Sequence, residues 1–399
     1  MKAPCLLSLL FLALLATGSL SAEPALDFDI ELTTINSGYD GKTCWVHPRL
    51  GAIPGTQPIV VLTMQKLLLT GSDVFYALHE MRTDDLGRHW SGPQKHDTLG
   101  RREGADGLIA VICDFTPQWH AKTGTLLGTG HVAKYEGDHL AKDYSRQTGY
   151  SVYDLTEKTW SRWDTVAMPD DSRFYSSGAG CSQRVDLPNG DILLPFYTRA
   201  KGEVRYTTSV MRCQFDGAKL RYVEHGPELA LEVSRGMVEP SLTQFAGKFY
   251  LTIRNDQAGY VATSNDGLHF DPPKKWTFDD GTDLGSYNTQ QHWVTHSDGL
   301  FLVYTRRGLD NDHVFRHRAP LMIARVDPQT LQVIRRTERV LVPERGARLG
   351  NFAITNVNEH ETWVSVAEWM QRNGPDYVIP VDNPHGADNS VYVAKILWK

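Results

Sequence analysis

Cysteine is scarce in this sequence of 399 residues. Only five are present, and Cys5 lies in the N-terminal stretch, so four are left for the rest of the chain: Cys44, Cys113, Cys181 and Cys213. So few cysteines do not make a disulfide framework, although one or two bridges stay open in an oxidising compartment. None of them has the CxxC spacing of a structural zinc site. A scaffold stabilised by disulfides or by zinc therefore has little support.

Long hydrophobic runs are also missing beyond the first 22 residues. Those residues carry Lys2, then the apolar run Leu6–Ala16, then small residues up to Ala22. A positive start, an apolar stretch too short to span a bilayer and a small-residue exit predict a cleaved secretory signal over residues 1–22. We therefore expect a secreted or periplasmic protein without membrane insertion, whose mature chain is residues 23–399.

An excess of positive charge is missing as well. The formal net charge at pH 7 is −6, from 41 Lys and Arg against 47 Asp and Glu. Because there is no general basic field, nucleic acid and anionic membrane surfaces are not expected as partners. Charged residues at 22% and hydrophobic residues at 41% are normal for a globular protein, and they exclude a disordered chain.

Helical periodicity is weak throughout, and short β-type runs separated by turn residues take its place. Turn signals precede two of these runs, PNGD at 188–191 and SDG at 297–299. Short strands at even spacing over this length favour a propeller over a sandwich. We expect an all-β chain with a single six-bladed β-propeller domain over residues 23–399. The runs are Pro58–Thr63, Asp191–Thr198, Lys248–Ile253, Leu300–Tyr304, Thr362–Ala367 and Ser390–Leu397.

A short motif repeats along the chain in the pattern S/T-x-D-x-G-x-x-W/F. The first copy is TDDLGRHW at 83–90, the second is TSNDGLHF at 263–270 with Asn265 at the acidic position, and a decayed third copy at Arg325 keeps Asp327. The motif predicts a hairpin turn in which the acidic or amide side chain caps backbone N–H groups and glycine allows a positive φ. Offsets of 180 and 62 residues fit a unit of about 60 residues, of which six fill the mature chain.

These turns resemble the Asp-boxes of the sialidase (neuraminidase) superfamily, in which three arginines clamp the substrate carboxylate. The segments VEPS at 238–241 and IRN at 253–255 resemble those bearing the family's glutamate and second arginine, which implies those roles for Glu239 and Arg254. The resemblance assigns the first arginine to Arg49 and the third to Arg318. Three planar guanidinium groups, each pairing with a carboxylate through two hydrogen bonds, bind an anionic sugar in one pose. The rivals of Arg318 are Arg306, Arg307 and Arg316.

Two further carboxylates follow from the same resemblance. Asp73 lies 24 residues after Arg49, on a loop that resembles the one carrying the family's catalytic aspartate. A carboxylic acid at that place could protonate the leaving glycosidic oxygen. Glu368 ends the segment SVAE at 365–368, which resembles the strand whose glutamate buttresses the first arginine. The resemblance thus implies Asp73 as the general acid and Glu368 as a support of the substrate-binding groups.

One residue of the family pattern is missing. Where the family places the tyrosine that attacks the anomeric carbon, this chain reads GNFAI at 350–354, so that Phe352 stands at the nucleophile position. A phenyl ring has no hydroxyl and cannot serve as a nucleophile. Groups that could fill the gap are His47, expected on the strand face of the first arginine, and Tyr287 and His292, which lie in a polar-aromatic segment.

The sequence thus predicts a secreted, exo-acting, sialidase-like glycoside hydrolase that releases a terminal acidic sugar, sialic acid or a uronic-type sugar, from glycans. Its mechanism would be non-standard, with Glu239 or His47 activating a water molecule. Two alternatives stay open: a polysaccharide lyase acting on uronates, and a glycan-binding propeller without catalysis. No cofactor is implied, because no nucleotide-binding loop or metal-ligand spacing occurs, and a structural calcium ion stays open.

Overall fold

The structure is a computed structural model that describes residues 28–71, 73–104, 106–142, 144–297, 299–372, 379–381 and 384–399. The predicted signal over residues 1–22 lies outside the described residues. Within them the chain forms 31 β-strands and four 3₁₀ helices, and no α-helix. None of the helices is long and apolar enough to cross a membrane.

The strands are numbered along the chain. The first sixteen are β1 (Phe28–Asn36), β2 (Thr43–Ile53), β3 (Ile59–Leu68), β4 (Phe75–Thr83), β5 (Gln94–Lys95), β6 (Arg102–Glu103), β7 (Ile109–His120), β8 (Thr125–Glu136), β9 (His139–Leu140), β10 (Thr148–Asp154), β11 (Thr159–Trp160), β12 (Asp164–Thr165), β13 (Ser176–Gly178), β14 (Val185–Asp186), β15 (Ile192–Arg199) and β16 (Thr207–Phe215). The others are β17 (Leu220–His225), β18 (Val238–Phe245), β19 (Lys248–Arg254), β20 (Gly259–Ser264), β21 (Lys274–Lys275), β22 (His292–His296), β23 (Gly299–Tyr304), β24 (Leu321–Asp327), β25 (Gln332–Val333), β26 (Arg339–Val342), β27 (Ala353–Asn356), β28 (Glu361–Ala367), β29 (Gln371–Arg372), β30 (Ile379–Pro380) and β31 (Val391–Trp398). The 3₁₀ helices are Asp97–Leu99, Ser172–Phe174, Phe315–His317 and Arg335–Thr337.

In the described part of the chain these strands form six antiparallel sheets of four or more strands and one small sheet, β29–β30. The six follow one another along the chain, with main strand orders β2-β3-β4-β5, β7-β8-β10-β11, β13-β15-β16-β17, β18-β19-β20-β21, β22-β23-β24-β25 and β27-β28-β31-β1. The last sheet joins the two ends of the described chain, because β1 pairs with β31 from Phe28 opposite Trp398. Such a closure lets a ring of sheets hold together without a further domain.

The hydrophobic core lies between consecutive sheets. One cluster joins Val61 of β3 to Ile112 of β7, and the next joins Leu127 of β8 to Leu194 of β15. The fold is therefore all-β and propeller-like, as the sequence predicts. Each of the six predicted β-type runs overlaps a strand, with its start within one residue of that strand or inside it: in order along the chain these are β3, β15, β19, β23, β28 and β31.

The turn after the third strand has the same chemistry in five of the six sheets. In each, one aspartate carboxylate accepts one or two hydrogen bonds of 2.8–3.2 Å from backbone N–H groups two to four residues further on. The sequence motif identifies two of these aspartates, Asp85 and Asp327, and finds the turn of Asp266 with a different acidic position. It misses the other two turns, because the residues around them do not keep the pattern. The five are Asp85, Asp154, Asp216, Asp266 and Asp327, with separations of 69, 62, 50 and 61 residues.

The second copy of the motif has a different register from the one read in the sequence. Ser264 Oγ bonds to Asp266 Oδ1 at 2.9 Å and accepts the N–H of Gly267 at 2.9 Å, as Thr83 Oγ1 does in the first copy with the N–H of Gly87 at 2.9 Å. The assignment of the acidic position to Asn265 was therefore wrong, because this turn is one residue shorter.

All four cysteines beyond residue 27 are buried and free of disulfides. The bridges that the sequence left open are not formed in the described structure.

This register makes a testable prediction. Asp266→Ala removes the acceptor of two backbone N–H groups, so the free energy of unfolding should fall by about 1–2 kcal/mol. Asn265→Ala, at an exposed neighbouring position, should change it by less than about 0.5 kcal/mol. Urea denaturation of both variants measures the difference, and the reverse order of losses would contradict the register.

Candidate functional site

A cavity of about 190 Å³ lies where the six larger sheets and their connecting loops meet. Its polar wall comes from every one of these sheets or from the loop that leads into it. The lining residues are His47, Asp73, Phe75, Asp114, His131, Ala133, Leu140, Tyr144, Arg146, Cys181, Tyr197, Arg235, Glu239, Arg254, Arg316, Arg318, Arg348, Asn351, Trp369 and Gln371.

Bulges in the first strands of three sheets bring side chains to this cavity. The register shifts in β2, β7 and β18 contain His47, Asp114 and Glu239, whose φ angles are 53°, 50° and 48°. A left-handed conformation is costly for residues other than glycine, and bulges with such residues are frequent beside functional sites. The bulge also separates His47, in the cavity wall, from Arg49, which is fully buried. The expectation that these two share one strand face was wrong, because the bulge breaks the alternation.

Positive charge dominates the cavity wall. Six arginines line it together with three carboxylates, Asp73, Asp114 and Glu239. A cleft with such a surplus of positive charge and with low-dielectric walls concentrates anions. The arginines are Arg146, Arg235, Arg254, Arg316, Arg318 and Arg348.

Glu239 and Arg254 form an ion pair in the wall. Arg254 Nη1 donates to Glu239 Oε1 at 2.5 Å, and Nη2 donates to Asn288 Oδ1 at 2.6 Å. Burial alone would raise the pKa of Glu239, but the charges of Arg254 and Arg235 outweigh it and lower that pKa to about 2. Glu239 is therefore ionised and serves to hold Arg254 in one orientation.

Arg318 lies in the cavity wall, and so does its rival Arg316, whereas Arg306 and Arg307 do not line it. The Nε of Arg318 donates to the backbone oxygen of Asn288 at 2.9 Å. Burial lowers the pKa of Arg318 well below its usual value, and the neighbouring guanidinium groups lower it further.

Arg348 is a cavity residue that sequence reasoning missed. It is 5% exposed, and its Nε and Nη2 have no hydrogen-bond partner in the described structure. Its guanidinium lies 4.5 Å from the ring centroid of Trp369. Burial lowers the pKa of Arg348 to about 9, with a further lowering from Arg316. A buried cation with two unsatisfied donors is costly unless an anion enters the cavity. No motif surrounds Arg348 that could have marked it in the sequence.

Arg49 lies beneath the cavity floor instead of in its wall. Its Nη1 donates to the backbone oxygen of Phe352 at 3.2 Å, and its Nη2 lies 3.2 Å from Asp114 Oδ1. Further acceptors within 3.3 Å of Nη2 are Gln290 Oε1 and Cys181 Sγ. Since protein groups already occupy this guanidinium, Arg49 supports the floor and does not face the cavity.

The sequence analysis expected Glu368 to support the first arginine, but among the described residues its side chain contacts other groups. Its Oε2 accepts the backbone N–H groups of Asp388 at 2.9 Å and Ser390 at 3.1 Å, and its Oε1 accepts the hydroxyl of Tyr392 at 3.0 Å. Burial raises its pKa. Glu368 therefore fixes the chain just before β31 and does not support the arginine.

Phe352 is fully buried and does not line the cavity, whereas its neighbour Asn351 does. The Phe352 ring packs edge-on against His292 at 5.0 Å between centroids. His292 is 1% exposed, lies outside the wall and bonds through Nδ1 to Ser241 Oγ at 2.7 Å. Tyr287 is also outside the wall, where its hydroxyl bonds to His317 Nδ1 at 2.5 Å. Phe352, His292 and Tyr287 were thus misplaced as cavity groups.

Asp114 stands between two histidines, an arrangement that the sequence did not reveal. His47 Nδ1 lies 3.3 Å from Asp114 Oδ1, and His131 Nδ1 lies 3.6 Å from Oδ2. Asn351 Nδ2 lies 2.5 Å from His47 Nε2. Burial lowers the pKa of both histidines, that of His131 to about 3. Electrostatic interactions with His47, His131 and Arg49 keep the pKa of Asp114 low against burial. The cavity therefore holds neutral imidazoles beside a carboxylate.

Asp73 lies at the rim of the cavity on the loop between β3 and β4, where it is exposed. Its φ is 55°, and its backbone oxygen accepts the hydroxyl of Tyr135 at 2.8 Å. The structure therefore places this loop carboxyl group where a ligand would enter.

Two tyrosines that sequence reasoning overlooked also lie in the cavity wall. Arg146 Nη1 donates to the hydroxyl of Tyr197 at 2.6 Å, and Nη2 donates to that of Tyr144 at 3.4 Å. Burial raises the pKa of both tyrosines. They are therefore protonated hydroxyl groups inside the cavity.

Comparisons with known proteins agree with this geometry at the level of the fold. No protein-family model matches the sequence, and no curated protein matches it. Among solved structures, a protein of unknown function from Dyadobacter fermentans is 14% identical with a TM-score of 0.61, over 93% of this chain and 99% of that one.

Several other similar structures are sialidases. The Trypanosoma rangeli sialidase in complex with the inhibitor DANA is 13% identical with a TM-score of 0.61, over 92% of this chain and 59% of that one. NanB sialidase from Streptococcus pneumoniae is 10% identical with a TM-score of 0.62, over 90% of this chain and 70% of that one. At such low identity the likeness shows a shared all-β, propeller-like fold.

The buried histidines predict how stability depends on pH. The pKa of His292 is about 3 in the native chain, against an ordinary value of 6.5. Between these pH values the His292 imidazole is therefore protonated in the unfolded chain and neutral in the native chain. The free energy of unfolding should therefore fall as the pH decreases from 6.5 towards 3, by up to about 1.4 kcal/mol per pH unit for this histidine.

Urea denaturation of His292→Gln between pH 7 and pH 4 tests this prediction. The variant should lose less stability on acidification than the wild type does. His360→Gln, which removes an exposed histidine, is the control for the loss of an imidazole. Parallel curves for the wild type and His292→Gln would contradict the assignment.

Proposed function

We propose that this chain is a secreted, exo-acting glycoside hydrolase that releases a terminal acidic sugar from glycans. In this proposal the six larger sheets are the blades of a six-bladed propeller, residues 1–22 are a signal that is removed on export, and the sugar binds in the arginine-rich cavity. Sialidases are among the proteins with this fold, which supports the glycan as the substrate class.

The proposal of six blades draws on the recurring aspartate turns. Five sheets carry an aspartate cap after the third strand, and we identify these turns with the Asp-boxes that the sequence resembles. In the sixth sheet the chain ends at the third strand, β31, and β1 supplies the fourth. One unit per sheet therefore accounts for the spacing of about 60 residues.

The surplus of arginine in the cavity is the observation that carries the function. Arg254, Arg318 and Arg348 line one cavity, and Arg348 has two donors without a protein partner. We propose that these three form the carboxylate clamp, so that Arg348 replaces Arg49 in the set expected from the sequence. A carboxylate would satisfy the orphaned donors and offset the cost of burying the guanidinium groups.

For the chemical step, we propose Asp73 as the general acid that protonates the leaving oxygen. Water would attack the anomeric carbon directly, because no tyrosine occupies the family's nucleophile position. Of the two histidines beside Asp114, His47 is held by Asn351, which leaves His131 as the better proton acceptor. Burial lowers the pKa of His131 most, and the charge of Arg146 lowers it further. An anionic ligand near Arg146 would therefore raise that pKa, because it offsets the second of these effects.

The configuration of the product tests this route. Proton NMR of the first-formed sugar should show an inverted anomer when water attacks directly. A retained anomer would overturn the water route and point to a covalent intermediate, for which the cavity offers Tyr197 or Tyr144. An unsaturated product that absorbs in the ultraviolet would overturn hydrolysis in favour of a lyase, and binding without any product would leave a glycan-binding propeller.

The clamp predicts a loss of ligand affinity in a variant that should fold normally. Arg348→Met removes no hydrogen bond to Nε or Nη2 and keeps the packing volume, so stability should be maintained or raised. Binding of an acidic sugar or its analogue should weaken by about 2–5 kcal/mol. Arg205→Gln, which breaks an exposed ion pair with Glu232, is the matched control. Unchanged affinity of Arg348→Met in calorimetry would refute the clamp.

The role of Asp73 predicts a dependence on the leaving group. Asp73→Asn should slow cleavage of glycosides with poor alkyl leaving groups far more than that of 4-nitrophenyl glycosides, because activated leaving groups need little protonation. Rates on matched pairs of sialosides and of uronides measure this effect. Equal losses on both leaving groups would assign Asp73 a positioning role instead.

A further inference from the structure

Outside the cavity wall, three side chains with metal-binding chemistry lie close together. The Nε2 atom of His313 lies 3.0 Å from Glu344 Oε1, and the ring of His385 stacks on that of His313 with 4.2 Å between centroids. One ligand atom from each of the three residues lies within 4.8 Å of the other two. We propose that His313, Glu344 and His385 bind one divalent transition-metal ion.

The donor set indicates the class of metal. Two imidazole nitrogens and one carboxylate suit Zn²⁺ and its neighbours in the first transition row, whereas Ca²⁺ and Mg²⁺ prefer sites built from oxygen alone. Tetrahedral Zn²⁺ with three protein ligands leaves one position for water. His313 and His385 are exposed and Glu344 is half-buried, so the ion has a path of entry and that position faces solvent.

The local backbone already holds two of the three segments together. Ala387 N–H donates to the backbone oxygen of Arg345 at 3.0 Å, which joins the neighbours of His385 and Glu344. Glu344 Oε1 also accepts the N–H of Gly346, which orients the carboxylate. Because these contacts already order the ligating group, metal binding costs less conformational entropy.

The site has a consequence for the cavity. Arg316 follows His313 by three residues, and Arg348 follows Glu344 by four. Arg316 lines both the central cavity and the depression of about 410 Å³ that contains His313 and His385. A metal ion would therefore tie together two segments that each carry a cavity arginine. The proposed metal site rests only on the positions of His313, Glu344 and His385. It therefore does not depend on whether the protein is a hydrolase.

The other cluster of potential ligands is a poorer candidate. Cys113, Asp114 and His131 lie within the same distance of one another but are all buried. Asp114 is already paired with Arg49 at 3.2 Å. A cation at that place would compete with a fixed guanidinium, so it is disfavoured electrostatically.

Calorimetric titration of the chelator-stripped protein with Zn²⁺ tests the proposal. The wild type should bind one equivalent, and His313→Ala and His385→Ala should each weaken that binding by about tenfold or more. His360→Ala is the matched control, because that exposed histidine lies 3.4 Å from Glu359 without a second imidazole. No saturable binding by the wild type, or binding by either variant as tight as that of the wild type, would overturn the site.

Anomalous diffraction from wild-type crystals soaked in Zn²⁺ keeps the test independent of how the variants fold. A peak between His313, Glu344 and His385 would support the proposal. A peak only at Cys113, Asp114 and His131, or no peak at all, would overturn it. With the ion bound, hydrogen exchange in residues 311–318 should also slow, since that segment becomes tied to its neighbours.

Discussion

Buried positive charge at the centre of the sheets is the constraint on which the rest of the site depends. Six arginines share the cavity with three carboxylates, and three of these arginines, Arg254, Arg318 and Arg348, are buried and have lost much of their hydration. Such charges are tolerated only where fixed partners or a bound anion offset the loss. Glu239 holds Arg254, and the backbone of Asn288 holds Arg318. The guanidinium of Arg348 lies beside the rings of Phe315 and Trp369. A bound anion would therefore stabilise Arg348 more than the arginines that already have fixed partners.

The sheets can hold these groups because their first strands are bulged at the centre. His47, Asp114 and Glu239 each adopt a left-handed conformation, at a cost of about 1–3 kcal/mol each that the surrounding ladders must offset. In return, a carboxylate or an imidazole from each of three sheets reaches one cavity. Rigid strands position such groups more precisely than loops do, and only Asp73 among the acidic groups comes from a loop.

The chemistry that we propose for the cavity departs from that of the family the sequence resembles. Phe352 is part of the core, and its neighbour Asn351 lies in the cavity wall. Beside it lies an aspartate flanked by two neutral histidines, which offers proton transfer without a covalent nucleophile. The proposed use of water follows from this pairing, and the two wall tyrosines mark the route that a retaining enzyme would take instead.

The sequence by itself determined the all-β, propeller-like class and six of the strands. It also pointed to five of the cavity residues, namely His47, Asp73, Glu239, Arg254 and Arg318, although it did not separate Arg318 from three neighbouring arginines. These follow from alternation, turn residues and local spacing, which are encoded within a few residues of one another. The tertiary structure alone decided that Arg49, Glu368, Phe352, His292 and Tyr287 lie outside the cavity wall and that Asp114, His131, Arg146 and Arg348 belong to it. A single bulge moves a side chain to the other face of a strand, and a cavity between six sheets joins residues that are hundreds of positions apart.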